Sequence, residues 1–358
     1  MHDTFDVAIV GGGIIGCSSA YALSAAGASV VVLEKDRVAA HASGGAAGIL
    51  STLDDVPGTP AATLNLASLA LHSSYAERLR DETRIDVEYQ QVGSLTLLTQ
   101  QQVEQVRSDS RLIGGQELHE LEPAVDPSWA GALFQRRDGQ VNAGLLTRAL
   151  AEGAARYGAE IREGSPVREI LVEGDRVTGV QTPDGPIAAN HVVLAAGPWT
   201  PFLAPRGWTI PVDAVKGEIL WVTTRPGLLN RPIFAGHYLV PKPVVGIAIG
   251  ATYRRDRFDE TPALGPLAEL AATALQAIPA LRDAQFSHVW AGIRPFAADG
   301  RPILGPVPGL DGLILATGHG AYGITLSLIT GELVRDWVLE KPLPFPAGAF
   351  NIGRFAAR

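Results

Sequence analysis

The chain has 358 residues, 46% of them hydrophobic and 18% charged, with 40 glycines and 25 prolines; that is long enough for two cored domains and too apolar for a disordered chain. A net charge of −8 without a Lys/Arg-rich run excludes the basic surface that nucleic acid requires. The single cysteine, Cys17, excludes an intramolecular disulfide and a multi-cysteine zinc site.

Phe5–Val10 reads as a buried strand, Gly11–Gly16 as a glycine turn, Cys17–Ala26 as a helix ended by Gly27, and Val30–Leu33 as a second buried strand. This order is a βαβ unit, and its all-apolar strands suit a parallel sheet covered on both faces, so the fold class is α/β with a doubly wound, Rossmann-like domain. Helix is expected over Ala61–Asp81, strand-like alternation over Val87–Thr99, and helix over Gly144–Tyr157. Short strands follow over Ala159–Arg162, Pro166–Val172, Arg176–Thr182 and His191–Ala196. From Pro211 to Ala251 strand-like runs alternate with Gly and Pro, Pro266–Ile278 reads as helix, and Leu313–Ala316 as a buried strand entering Gly318 and a helix to about Val338. The first domain is therefore expected to be discontinuous, with a mostly antiparallel β domain carrying helices inserted. Residues 1–86, 143–210 and 290–358 are assigned to the first domain, and 87–142 and 211–289 to the second. Met1–Asp6 has no basic, apolar leader, and no apolar run reaches membrane-spanning length, so a cytoplasmic protein away from the membrane is expected.

Gly11, Gly13 and Gly16 form GxGxxG between strand and helix, and Glu34 ends the next strand eighteen residues after Gly16. The glycines permit the tight turn, the approach of a pyrophosphate and helix-on-strand packing, while the helix N-terminus stabilises the anion and Glu34 accepts from ribose hydroxyls. NAD and FAD share this fingerprint. The run His41–Gly48, rich in small residues, is either a flexible loop or backbone passing close to something flat. Two further strands end in glycine, at Gly197 and at Gly318.

On these residues the chain resembles the FAD-dependent D-amino acid oxidase family, in its glycine oxidase-like branch. The resemblance spans nearly the whole chain and rests on GGGIIG at Gly11–Gly16, SGGAAGIL at Ser43–Leu50, Tyr238–Pro241 with Gly250–Thr252, Ala291–Pro295, Asp299–Gly305, and Ala316–His319 with Gly323, Ile324 and Thr330–Glu332. It implies FAD held without a covalent bond by Gly11, Gly13, Ile14, Ile15, Gly16, Glu34 and Lys35, by Ala42, Ser43, Ala47, Gly48 and Ile49, by Val167 and Gly197, and by Gly318, His319, Gly320, Ala321, Tyr322, Gly323, Ile324 and Thr325. It implies Arg294 at the substrate carboxylate, where a guanidinium offers two parallel charge-assisted hydrogen bonds, with the Tyr238 phenol donating to the same group. Tyr253 stands where the branch carries an apolar residue lining the substrate cavity, and Tyr322 completes the catalytic set. For both Tyr238 and Tyr253 the alternative is a strand-core role, and for His319 a structural hydrogen bond is preferred to acid–base work. The start of the helix after Gly323 is expected to face the flavin's pyrimidine edge.

One stretch departs from the branch: Gly318–Gly323 reads GHGAYG, with Ala321 where an arginine is expected and Tyr322 where an asparagine is. The implied chemistry starts from a neutral amine, passes hydride from the α-carbon to flavin, and leaves an imine that hydrolyses to a 2-oxo acid and ammonia or amine, dioxygen being reduced to peroxide. The implied partners are a small amino acid (glycine, sarcosine or a small D-amino acid), dioxygen and further copies of the chain, with thiamine biosynthesis as the family-level pathway. The alternatives are a dehydrogenase with another electron acceptor and a subunit of a sarcosine oxidase-like hetero-oligomer. Lys216 and Lys242 are candidates for promoting dioxygen reduction, with exposed structural lysines as the commoner alternative. His288, His319, Asp299 and Glu218 show no ligand spacing, so no metal is expected.

Overall fold

The computed structural model describes residues 4–52, 58–106, 111–243, 246–255 and 258–355; Met1–Asp3 of the expected leader-free segment and Val244–Val245 of the expected Pro211–Ala251 strand region lie outside the described residues. The chain builds two large sheets. The first has eight strands, with a path that runs Ile303–Pro306, Leu313–Thr317, Gly185–Leu194, Thr4–Val10, Val30–Leu33, Glu160–Arg162, and strands Arg176–Thr182 and Glu169–Glu173 branching from Gly185–Leu194. Thr4–Val10 pairs in parallel with both Val30–Leu33 and Gly185–Leu194, so segments far apart in sequence meet at its centre.

Alternation along these strands sends residues to opposite faces. Val7, Ile9, Val30, Val32 and Val193 pack under helices Ile14–Ser24, Ala143–Arg156 and Gly323–Val338, together with Cys17, Leu146 and Leu328. Ala8, Val10, Val31, Leu33, Val192 and Leu194 pack on the other face against Ile170, Val177, Val180 and Ile187. That second face is covered by antiparallel strands, and both faces of the parallel sheet are dry, as its uninterrupted apolar strands require.

The second sheet has nine strands and is mainly antiparallel. Its longest members, Val212–Thr223 and Gln285–Ala297, pair from Val212↔Ala297 to Thr223↔Gln285. Helix Leu264–Ala277 seals one face through Leu270, Ala274 and Ala277. The strand Gln285–Ala297 runs through the expected domain boundary at residue 290.

Sequence and structure differ at the edges of elements. Helix Pro60–Thr83 is longer than its apolar pattern indicated, because Thr59 caps its N-terminus by accepting from the Ala62 N–H and Arg84 ends it in the left-handed region. The expected strand over Val87–Thr99 shrinks to Ser94–Leu98. No described helix is long and apolar enough to cross a membrane.

Candidate active site

A cavity of about 470 Å3 lies between the two sheets, lined at one end by Gly11, Gly13, Ile14 and Glu34 and at the other by Gly217, Tyr238, Trp290 and Arg294. Its dinucleotide end is made by the first βαβ turn. Gly11 has φ +110, and a Cβ there would stand 2.5 Å from the Ala195 carbonyl oxygen, so only glycine permits the crossing. Gly16 does not line the cavity; a Cβ there would lie 1.9 Å from the Gly11 carbonyl oxygen, so it serves by letting helix meet turn. The buried Glu34 accepts from the Gly12 N–H at 2.6 Å and from the Asp36 N–H at 2.9 Å. Ser43 brings its hydroxyl to the helix N-terminus, accepting from the Ile14 N–H at 2.9 Å.

Ile15, Lys35, Ala42, Ala47, Gly48, Ile49, Val167 and Gly197 all line the same cavity, as do His319, Gly320, Ala321, Gly323 and Ile324. Within the small-residue run, Ala42–Gly45 forms a short helix. Gly318, Tyr322 and Thr325 stand behind the wall. Gly318, at φ +73, turns the strand into the loop; Tyr322 packs on the cluster around Leu326 and Leu333; the Thr325 hydroxyl donates to the Ile49 carbonyl at 3.3 Å. The Thr325 carbonyl accepts from Ser68 at 2.5 Å and lies 3.0 Å from Nε2 of His72, a buried imidazole that desolvation holds down at about 4. His319 is likewise pushed by burial to about 3, with Nε2 3.1 Å from the Thr330 hydroxyl. Burial thus favours its neutral form, anchored at the Thr330 hydroxyl on the cavity wall.

Three glycines open the antiparallel wall for three large side chains. A Cβ on Gly217 would stand 2.3 Å from Arg294 Nη2, one on Gly250 2.7 Å from the Tyr238 hydroxyl, and one on Gly292 2.1 Å from the Trp290 ring. Arg294 donates from Nη1 to the Thr252 carbonyl at 3.1 Å, and among the described residues no carboxylate pairs with it. Burial raises the Tyr238 phenol above its ordinary value while the neighbouring Arg294 charge pulls it back, so the pair presents two donors to the cavity. Trp290 was not singled out from sequence; it also faces Gly45, whose Cβ would stand 2.2 Å from the ring.

Tyr253 does not line the cavity. Its side chain is half exposed, stacks edge-on against Phe296 at 5.3 Å and approaches Arg255. The position that the resemblance placed at the cavity is turned outward, because residues 251–253 stand opposite only Gly217 and Glu218 in the ladder. Lys216 and Lys242 are both buried rather than exposed and neither lines the cavity. Lys242 donates to the Val141 carbonyl at 2.8 Å, and burial lowers it to about 8. Cys17 is fully buried, its thiol pushed upward by desolvation and placed 3.4 Å from the Gly12 carbonyl, a packing role. Glu34, Asp36 and His41 bring ligand-type atoms within 4.8 Å of one another, yet Lys35 sits among them, bonded to Asp36 and 2.9 Å from His41 Nε2.

A parallel sheet with a glycine cradle and a buried acid just after its second strand is a dinucleotide-binding arrangement, here faced by an antiparallel wall that closes the cavity. Residues 6–337 match the family described as FAD dependent oxidoreductase (DAO). A glycine oxidase of Geobacillus kaustophilus is 35% identical over 99% of this chain and 98% of its own. The crystal structure of glycine oxidase from Geobacillus kaustophilus covers all of both chains with a TM-score of 0.94 at 34% identity. Hydrogen cyanide synthase subunit HcnC of Pseudomonas aeruginosa is 30% identical over 99% of this chain and 97% of its own. The chain belongs to the DAO family of FAD-dependent oxidoreductases. It is an FAD-dependent amino acid oxidase, and the cradle around Gly11, Glu34 and Gly197 fits that cofactor.

Proposed function

We propose that the protein oxidises a small amino acid (glycine, sarcosine or a small D-amino acid) to a 2-oxo acid and ammonia or amine, with dioxygen reduced to hydrogen peroxide. The observation that carries this reading is the single cavity joining the glycine cradle to the Arg294–Tyr238 pair, with Trp290 beside them. Glycine oxidases among the relatives support the substrate class.

In this reading the parts of the chain that form the first sheet hold FAD, through Gly11, Gly13, Ile14, Glu34, Gly197 and Gly320, and the second sheet holds the amino acid. When bound, the flavin supplies the two-electron acceptor for oxidation at the α-carbon. Arg294 grips the carboxylate by paired charge-assisted hydrogen bonds and Tyr238 adds a third donor, so the α-carbon is fixed relative to the cavity floor. Among the described residues Glu34 is the acid that lines the cavity, and both its oxygens accept backbone N–H groups. The described lining therefore offers the amine no free carboxylate, and in this reading the substrate enters with its nitrogen already neutral. The FAD is held without a covalent bond, in a cytoplasmic homo-oligomer. A second reading, electron delivery to another acceptor within a larger assembly, draws on the likeness to the HcnC subunit.

Arg294→Ala tests the reading. The variant is expected to purify yellow with full FAD and to lose at least roughly a hundredfold in kcat/KM for the amino acid, the scale of a lost charge-assisted pair. Turnover at the wild-type level would dismiss it.

A further inference from the structure

Behind the substrate wall lies a charged group that the reaction does not use. Strand Val212–Thr223 pairs with Gly250 through Ile219 and with Arg254 through Lys216. Three residues, 251–253, thus stand opposite two, Gly217 and Glu218, a bulge that breaks the alternation. Glu218 pins this bulge: its N–H donates to the Thr252 hydroxyl at 2.8 Å, its carbonyl accepts from the Thr252 N–H at 3.3 Å, and its carboxylate Oε2 accepts from the Thr252 hydroxyl. The pinned Thr252 then presents its carbonyl to Arg294 Nη1 at 3.1 Å, while the same guanidinium lies over Gly217.

Glu218 is wholly buried, and its other oxygen, Oε1, has no hydrogen-bond partner. Lys216 Nζ and Arg254 Nη1 each stand 3.8 Å from it, and Lys216 is held in turn by Asp259 and the Thr261 carbonyl. A buried carboxylate with an unsatisfied oxygen is costly to keep. Burying a carboxylate serves no packing purpose that an apolar side chain would not serve better. What an apolar side chain could not do is accept from the Thr252 hydroxyl and so fix the orientation of the carbonyl that anchors Arg294.

We propose that Glu218 is a positioning residue which, through Thr252, sets the orientation of the Arg294 guanidinium and with it the affinity for the substrate carboxylate. The proposal rests on the reading of Arg294 as the carboxylate-binding group.

The test uses FAD-loaded wild type, Thr252→Val, Thr252→Ser, Glu218→Met and Arg294→Ala, each titrated with acetate while the visible flavin band is followed, and each assayed for kcat and KM. Thr252→Val and Glu218→Met, which remove the donor and the acceptor respectively, are expected to raise the acetate Kd and the KM by about tenfold with kcat within about twofold, and Thr252→Ser, which keeps the hydroxyl, to stay near wild type. If Glu218→Met does not fold, Thr252→Val decides. Wild-type acetate affinity in Thr252→Val, with only a lowered melting temperature, would overturn the inference provided Arg294→Ala binds acetate weakly. No acetate response in the wild type, or an equal one in Arg294→Ala, would remove the reading of Arg294 and the inference with it.

Discussion

Arg294 can enter the cavity because Gly217 on the facing strand has no side chain, and Tyr238 because Gly250 has none. Gly217→Ala is therefore expected to displace the guanidinium and raise KM by roughly tenfold while FAD stays bound, which steady-state kinetics beside a flavin spectrum would check. Tyr238→Phe removes one donor to a charged group and is expected to cost about 1.5–3 kcal/mol in kcat/KM. A change below about twofold would return Tyr238 to a strand-core role. Arg294 was legible in the sequence because Ala291–Pro295 is a specific motif. Tyr253 was assigned by resemblance alone, and the three residues 251–253, standing opposite two, leave it half exposed outside the cavity wall. Trp290 had a signal that went unread: a large aromatic two residues before Gly292 and four before an arginine needs empty neighbours, and glycines supply them.

At the scale of elements, helix Gly323–Val338 is held against helix Pro60–Thr83 by Ser68 and His72, both of which reach the Thr325 carbonyl. His72 sits at about 4 and His319 at about 3, against 6.5 in the open chain. The unfolded chain thus binds more protons than the native state below about pH 6.5, so the stability these neutral imidazoles contribute is full above that pH and is lost as pH falls toward 4 and 3. Melting temperatures measured from pH 7.5 to pH 5 should fall more steeply for wild type than for His72→Gln, whose amide can still donate but cannot ionise. Parallel curves would contradict this. The helices and buried strands were readable because their apolar periodicity is local. Gln285–Ala297 was not read as a strand, since it contains Gly292, Arg294 and Pro295, and only its partner Val212–Thr223 makes it one.

For the whole molecule, the βαβ start and the discontinuous first sheet could be anticipated, because parallel strands need crossovers and later segments must return to the centre. The register of the second sheet could not, being set by pairings between segments about 80 residues apart such as Val215↔Arg294. That register is what brings Arg294, Tyr238 and Trp290 to the cavity that the glycine cradle opens. With no free carboxylate among the described lining residues, kcat/KM should rise with pH along the ionisation of the substrate amine. A bell with an acidic limb from an enzyme carboxylate would contradict this part of the account.

The most direct measurement is anaerobic mixing of the purified protein with glycine, sarcosine, D-alanine and D-proline while the visible flavin band is followed, then admission of air. The account predicts bleaching by at least one of these amino acids and rapid recovery of colour with one peroxide formed per turnover. Absence of bleaching by all four would contradict the small-amino-acid assignment, and bleaching without recovery in air would contradict dioxygen as the acceptor.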